Sequence, residues 1–282
     1  MRMHNMKSTT SVFVPFSRDS IMWKINRERV VLLGGPAAAV LQVAHPQVAM
    51  GVATHSKFRS DSTGRLRRTL DSVYTVAFGT AEEVERVRAA VARAHGPVQG
   101  KSPAPYSAFD PEAQLWVLAT LIMASTAMFR RFVGPLTEKE LDQFLDENAR
   151  FGEVFGLSPS LVPKTWPEFE RYWRGMMDGP LLGSHPLCGE VARAVVCPDS
   201  PLMMRVLSPV FLALALEYLP APLRERLGFQ GGSVQRWLWG PLDVALPILL
   251  RMAPAPLRHA PHYIRARRSH EHRFGPLPHP AV

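Results

Sequence analysis

The sequence predicts an all-α protein, and three observations favour this fold class. Apolar residues recur at helical spacing along most of the 282-residue chain. Short alternating segments at hairpin spacing are not found in the sequence, so little sheet is expected. An apolar fraction of 46% is ample for one sizeable core. We therefore expect a single-domain multi-helix bundle over residues 21–258, between a flexible N-terminal segment over 1–20 and a basic tail rich in proline and histidine over 259–282.

The first predicted helices lie in the apolar stretch from residue 23 to residue 55. A Gly-Gly-Pro break at residues 34–36 divides a short helix from a longer one, and proline is tolerated at a helix start because its missing N–H would be unpaired there. Pro46 favours a second break, which places His45 at a junction. The break has neither the GxGxxG pattern nor the lysine of a phosphate-binding loop, so that function is excluded.

The next predicted helix runs from about residue 63 to residue 78 and is capped at residues 61–62. Its apolar stripe begins at Leu66, which we expect to be buried. Arg65 and Thr69 are four residues apart and share the side that borders this stripe, so both are expected to face inward. A guanidinium in such a place needs an anionic partner: a carboxylate, a haem propionate or substrate oxygens.

A further helix is predicted between Thr80 and the Gly96-Pro97 pair. Its apolar stripe passes through Val84 and ends at His95, where an aliphatic residue would be expected. Neutral imidazole can be satisfied inside a core, or it can bind a metal or haem iron through one ring nitrogen. The pattern alone leaves both interpretations of this histidine open.

The rest of the chain continues the helical pattern, although many prolines interrupt its last third. Helices are predicted over residues 111–133, after a capping box formed by Thr137 and Glu140, and over residues 165–179. The most apolar runs fall short of the ~20 uninterrupted apolar residues of a membrane span, so they are interpreted as buried helices of a soluble protein.

Net charge and cysteine content limit the kinds of partner and the cellular compartment that are expected for this protein. The net charge is +9 and part of the excess lies in the tail segment RHAPHYIRARRSHEHR, so peripheral contact with an anionic membrane stays open. Nucleic-acid binding is not expected, because no nucleic-acid motif accompanies the charge. Cys188 and Cys197 match neither a zinc site nor a CxxC motif, and a reducing cytoplasm is the expected location.

The sequence lacks the motifs that are typical of hydrolases and of helical zinc sites. The sequence contains no GxSxG nucleophile elbow and no HExxH pair. His45 and His55 are ten residues apart, unlike the i, i+4 pair of a helical zinc site.

Several longer stretches resemble one oxygenase family. GGPAAAVLQVAHPQVAMGVATHSKFRSDSTGRLRRTLDSVYTVAFGTAEEVERV, with the following AHGPVQG, is similar to the family of MpaB and latex-clearing protein. YSAFDPEAQLWVLATL, RFVGPLTEKELDQFLDENARFGEVFGL and LPAPLRERLGF extend the resemblance over most of residues 20–230. The resemblance implies an all-α bundle of the latex-clearing-protein type with haem b in a buried pocket. It also implies dioxygen-dependent oxidation or C=C cleavage of an apolar, isoprenoid-like substrate.

The resemblance also assigns roles to residues of this chain. His95 matches the proximal haem ligand, and Arg65 and Thr69 match an R-x-x-x-T motif. Arg65 is expected to anchor a propionate or polarise oxygen, and Thr69 to donate a hydrogen bond nearby. The family's lysine one residue before the threonine is Arg68 here. Arginine cannot act as a neutral amine ligand, so Arg68 either hydrogen-bonds bound oxygen or points away.

The pattern alone favours one buried and one capping histidine at positions 45 and 55. The resemblance implies that His45 and His55 supply polar contacts to the cofactor, and that many relatives carry a histidine where this chain has Leu118. Two other functions stay open: a non-catalytic haem or apolar-ligand carrier, and a membrane-surface helical protein without a cofactor. The oligomeric state does not follow from the sequence.

Overall fold

The computed structural model describes residues 13–55, 61–102, 104–197, 202–229 and 233–274. This part of the chain contains fourteen α-helices, two 3₁₀ helices and one two-stranded sheet, so the predicted all-α class is confirmed. The α-helices are Ile21–Asn26 (α1), Gly35–Ala44 (α2), Pro46–His55 (α3), Ser62–Phe78 (α4), Ala81–His95 (α5), Pro111–Phe132 (α6), Glu138–Val154 (α7), Trp166–Asp178 (α8), Pro186–Val196 (α9), Leu202–Leu216 (α10), Ala221–Arg226 (α11), Ser233–Met252 (α12), Ala255–Arg258 (α13) and Pro261–Phe274 (α14). The 3₁₀ helices are Arg29–Gly34 and Pro159–Leu161, and the antiparallel strands are Gln99–Gly100 (β1) and Tyr106–Ser107 (β2).

Helix starts follow the capping residues that the sequence predicted. The Asp61 side chain accepts a hydrogen bond from the Gly64 amide at the start of α4. Capping boxes form at Thr80 for α5 and at Thr137 for α7. Each cap satisfies backbone N–H groups that have no partner inside the helix, which stabilises a helix by about 1 kcal/mol.

The core is built around α6, which packs against the first 3₁₀ helix and against α2. Trp116 of α6 is fully buried, stacks on Trp173 with ring centroids 5.1 Å apart, and donates its indole N–H to the Leu41 carbonyl at 2.7 Å. One helix in the described residues, α6, is long and apolar enough to cross a membrane, and half of its most apolar window is buried inside the protein. A core helix of a soluble protein passes the same test.

The helices α4 and α5 form an antiparallel hairpin joined by Gly79 and Thr80. Because the two helices have similar lengths and the connection is short, the first turns of α4 lie at the same end of the hairpin as the last turn of α5. Arg65 and His95, thirty residues apart in sequence, are therefore carried by the same open end.

Residues on both sides of the expected domain limits are packed against the helices. Residues 1–12 lie outside the described part, but Phe13 and Phe16 of the expected flexible segment are buried and meet edge to face. The expected tail begins with a bridge between Glu28 and His259 and with fully buried Ala260, and α14 then packs on α4. These contacts join residues at both ends of the described part to the helices between them.

The structure corrects the predicted buried face of α4. Leu66 is 51% exposed and Thr69 is exposed, so the expectation that these two side chains face the interior is wrong. The buried residues of α4 lie further along the helix, at Tyr74 and from Val76 to Phe78. The physical reason is that the first half of α4 borders an open groove beside α14, whereas the second half packs against α1.

Candidate functional site

The last residue of α5, His95, is half-buried at the open end of the hairpin. Its Nδ1 atom is buried and has no hydrogen-bond partner among the described residues. Burial lowers the pKa of this imidazole, so the ring is neutral at pH 7, which is the form that binds metals. The ring of Phe109 meets it edge-on, with centroids 6.2 Å apart.

Arg65, at the same end of the hairpin, is a second polar group without a partner. Its guanidinium forms no hydrogen bond or ion pair with the residues that the structure describes. Burial lowers the pKa of Arg65, but guanidinium stays charged at any physiological pH. The hairpin end thus carries a neutral nitrogen base, which can donate a lone pair to a metal, and an uncompensated cation, which favours an anionic partner.

The segment from Tyr106 to Asp110 forms a wall next to this hairpin end. Tyr106 is buried, and its hydroxyl lies 3.0 Å from Nε2 of His55 at the end of α3. Its ring covers Gly100 on the paired strand, where an added Cβ would lie 2.6 Å from the ring. Glycine at this position therefore lets the tyrosine close over the strand.

His45 approaches the same segment from the α2–α3 junction, where the sequence predicted it. The side chain is only 2% exposed, and neither ring nitrogen has a partner among the described residues. Burial lowers the pKa of His45, and the carboxylate of Asp110 opposes that change. A buried imidazole with two unsatisfied nitrogens carries a desolvation cost of about 1–3 kcal/mol, which a bound ligand or water would relieve.

The three predicted histidines therefore converge on one short segment: His95 at Phe109, His55 at Tyr106, and His45 through the electrostatic influence of Asp110. No periodic pattern in the sequence predicted that the three histidines lie next to this segment. The only signal was its presence in the YSAFDP stretch that resembled the oxygenase family.

Two other predicted residues lie outside the cluster. Arg68 is largely exposed and donates a hydrogen bond to Asp61 at 3.0 Å, so its guanidinium is directed along the helix surface. Thr69 is exposed one residue further on. Leu118 is buried in the core.

The two unpartnered groups at the hairpin end are of the kinds that a haem group requires. Among the described residues, no three His, Cys, Asp or Glu side chains come together as ligands. Haem iron needs only one or two axial protein ligands, and its propionates pair with cations. His95 supplies an unpaired imidazole nitrogen and Arg65 an unpaired cation. Two grooves among the described residues, of about 460 and 410 Å³, are lined by neither of these residues.

Comparison with known proteins gives one family match and two relatives. Residues 22–252 match the family described as "ER-bound oxygenase mpaB/B'/Rubber oxygenase, catalytic domain". Uncharacterized proteins of Mycobacterium tuberculosis (strain H37Rv) and Mycobacterium bovis are each 31% identical to the chain over 152 residues, which is 51% of this chain and 59% of the relative. The chain thus spans less than two thirds of the length of these curated relatives. No solved structure matches the chain significantly.

Proposed function

We propose, because the chain belongs to the family of mpaB and rubber oxygenase catalytic domains, that it is a haem b-dependent oxygenase acting on an apolar, isoprenoid-like substrate. The observation that carries the proposal is the pair of unpartnered groups, the His95 imidazole and the Arg65 guanidinium, at the open end of the α4–α5 hairpin. We propose that the oxygenase domain extends over residues 21–258.

His95 is the proximal ligand in this proposal. The chain keeps its imidazole neutral by partial burial, which leaves a nitrogen lone pair free to bind iron. The neighbouring Phe109 ring restricts the orientation of the imidazole. When bound, the haem would supply the activation of dioxygen, and the protein supplies binding, orientation and exclusion of water.

Arg65 anchors an anionic oxygen, either of a propionate or of the reacting group. A half-buried guanidinium gains from such a partner both a charge-assisted hydrogen bond and relief from its own desolvation. The resemblance alone assigns Arg68 and Thr69 to the site. We place both at its solvent-facing rim, where the Thr69 hydroxyl can hydrogen-bond a polar group at the mouth.

His45 and His55 hold polar positions on the opposite wall. His55 fixes the Tyr106 hydroxyl, and we assign it a positioning role. His45 is neutral and has two free ring nitrogens, so it can accept or deliver a proton inside the protein. The apolar core around it suits an apolar substrate.

Dioxygen uptake with matched hydrocarbons tests this function. The protein purified from haem-supplemented cells should show a Soret band that shifts on reduction with dithionite. It should consume dioxygen with squalene, a polyunsaturated isoprenoid, and not with squalane, the saturated hydrocarbon of the same skeleton. A haem-loaded protein that consumes no dioxygen with any alkene would instead be a carrier, and a protein without a Soret band would exclude the haem assignment.

A membrane-surface role is the second candidate, and α12 favours it. Val244, Ile248, Leu249 and Met252 are all at least 55% exposed and recur along one side of this helix, with exposed Arg251 beside them. An apolar stripe with a cationic edge is typical of helices that lie in a membrane interface. We propose a cytoplasmic protein that contacts anionic membranes through this stripe. Cosedimentation with vesicles of phosphatidylserine should fall after Ile248→Asp and should persist after haem loading is lost.

A further inference from the structure

A groove between the first half of α4 and the start of α14 has no part in the site described above. Its volume of about 410 Å³ lies within the range of small-molecule sites. The first 3₁₀ helix forms one of its sides, and residues 260–262 form another. We refer to it as the α4–α14 groove.

The wall of the α4–α14 groove is largely apolar. Leu32 and Leu66, which both line it, are 40% and 51% exposed, and Leu70 beside them is half-buried. Leu66 is the residue that the helical pattern places in the core. Large apolar side chains exposed in a concave surface favour binding of an apolar group.

Buried polar atoms that lack partners lie beside one end of the groove. Tyr74 is only 5% exposed, and its hydroxyl has no hydrogen-bond partner among the described residues. Burial raises the pKa of this phenol to about 12, so the hydroxyl stays protonated and is available as a donor. The ring of His262 stacks on Tyr74 with centroids 5.2 Å apart, and its Nδ1 is likewise buried without a partner. An unsatisfied buried hydroxyl is rare in folded proteins and points to a missing acceptor.

The charge at this end is positive. Arg29 lines the groove, acts electrostatically on the Tyr74 phenol, and forms no side-chain hydrogen bond or ion pair with the described residues. Arg67 faces Asp71 at 3.7 Å, and His262 faces the same carboxylate at 3.3 Å. Asp71 therefore compensates Arg67, and the guanidinium of Arg29 is left over as a cation next to a free donor.

We infer that the α4–α14 groove binds a long-chain carboxylate, with the alkyl chain on Leu32 and Leu66 and the carboxylate at Arg29 and the Tyr74 hydroxyl. A carboxylate is acceptor-only, which suits two donors, and its negative charge compensates the Arg29 guanidinium. A neutral alcohol of the same length would cover the leucines but leave Arg29 uncompensated. The site is independent of the proposed haem site, because neither His95 nor Arg65 lines it.

The test is displacement of a dansyl-labelled fatty acid from the full-length protein by oleate and by oleyl alcohol. Oleate should compete at least about tenfold better than the alcohol, since one charge-assisted contact of about 1.4 kcal/mol corresponds to that factor. Arg29→Gln should remove this preference and leave the alcohol unaffected. Arg86→Gln removes one exposed arginine on α5 and is the matched control, for which no change is expected.

Two further variants separate this site from the haem site. Leu66→Asp places a charge in the apolar wall and should weaken both competitors, whereas His95→Ala should leave both unchanged. Loss of probe binding in His95→Ala would mean that the fatty acid enters the proposed haem site, and the inference would be wrong. Equal competition by oleate and oleyl alcohol, or equal effects of Arg29→Gln and Arg86→Gln, would overturn it as well, as would the absence of saturable probe binding.

Discussion

Replacing Glu28 with glutamine should destabilise the protein more than any other single charge neutralisation that we consider. Glu28 is fully buried and accepts two hydrogen bonds from Arg258, at 2.8 and 3.1 Å, and one from Arg27 at 3.1 Å. His259 lies 3.6 Å away, which is too long for a hydrogen bond. These contacts join the 3₁₀ region near the N-terminus to α13, 230 residues later in the chain.

The magnitude follows from the pKa of Glu28. Burial by itself raises this pKa, but contacts with His259 and Arg258 outweigh burial and lower it from 4.5 to about 2. That difference corresponds to about 3 kcal/mol at neutral pH. Removal of one partner of a buried pair costs a similar ~3–5 kcal/mol, because it leaves the other charge uncompensated. At roughly 2–4 °C per kcal/mol for a chain of this size, Tm should fall by about 6–12 °C.

Thermal and urea unfolding followed by far-ultraviolet circular dichroism measures this effect. Glu82→Gln breaks an exposed pair with Arg86 and should change stability by less than about 0.5 kcal/mol. The folded-state pKa of Glu28 is lowered, so its contribution is present above pH 4.5 and is lost as the pH falls towards 2. The difference between wild type and Glu28→Gln should shrink over that window. A loss below about 0.5 kcal/mol at pH 7 would mean that the Glu28 contacts do not stabilise the fold.

Three further predictions follow from other charged groups. Arg65→Met should leave the haem-free protein as stable as wild type or more stable in urea, since it removes an uncompensated half-buried cation, and should lower the haem-to-protein ratio after purification. His45→Leu should reduce the fall in the free energy of unfolding between pH 7 and pH 5. Burial lowers the pKa of His45, so the unfolded state takes up a proton before the folded state as the pH drops, and the wild type loses stability. Urea unfolding of both proteins at the two pH values measures the difference. Arg131→Lys should lower the free energy of unfolding, measured by thermal unfolding, by about 1 kcal/mol. Lysine cannot reproduce the paired hydrogen bonds to Asp243 or the contact with the Trp239 ring, whose centroid lies 4.1 Å from the guanidinium carbon.

Local signals in the sequence were sufficient to predict the helices. The Asp61 cap, the Thr80 and Thr137 capping boxes and the break at Pro46 each act within a few residues, so their outcome does not depend on the rest of the fold. The amphipathic stripe of α4 was less informative. It identifies a face, but whether Leu66 is covered depends on α14, which comes almost 200 residues later.

The candidate site was predicted only in part, for a similar reason. Helical periodicity identified His95 and Arg65 as out of place in apolar surroundings, and the resemblance gave them roles that stay proposals. Periodicity contains no information on non-local contacts, so the convergence of the histidines on Tyr106 and its neighbours could not be predicted. The burial of Ala260 beside the Glu28 pair was hidden by the basic composition around it.

Haem binding by His95 is the central prediction, and chemical rescue tests it most directly. His95→Gly, produced in haem-supplemented cells, should lack the Soret band of wild type while keeping its far-ultraviolet spectrum, and added imidazole should restore the band. His185→Gly is the control and should retain haem without imidazole, because His185 caps the start of α9 and has no role in the proposed site. A Soret band in His95→Gly equal to that of wild type, without imidazole, would contradict the account.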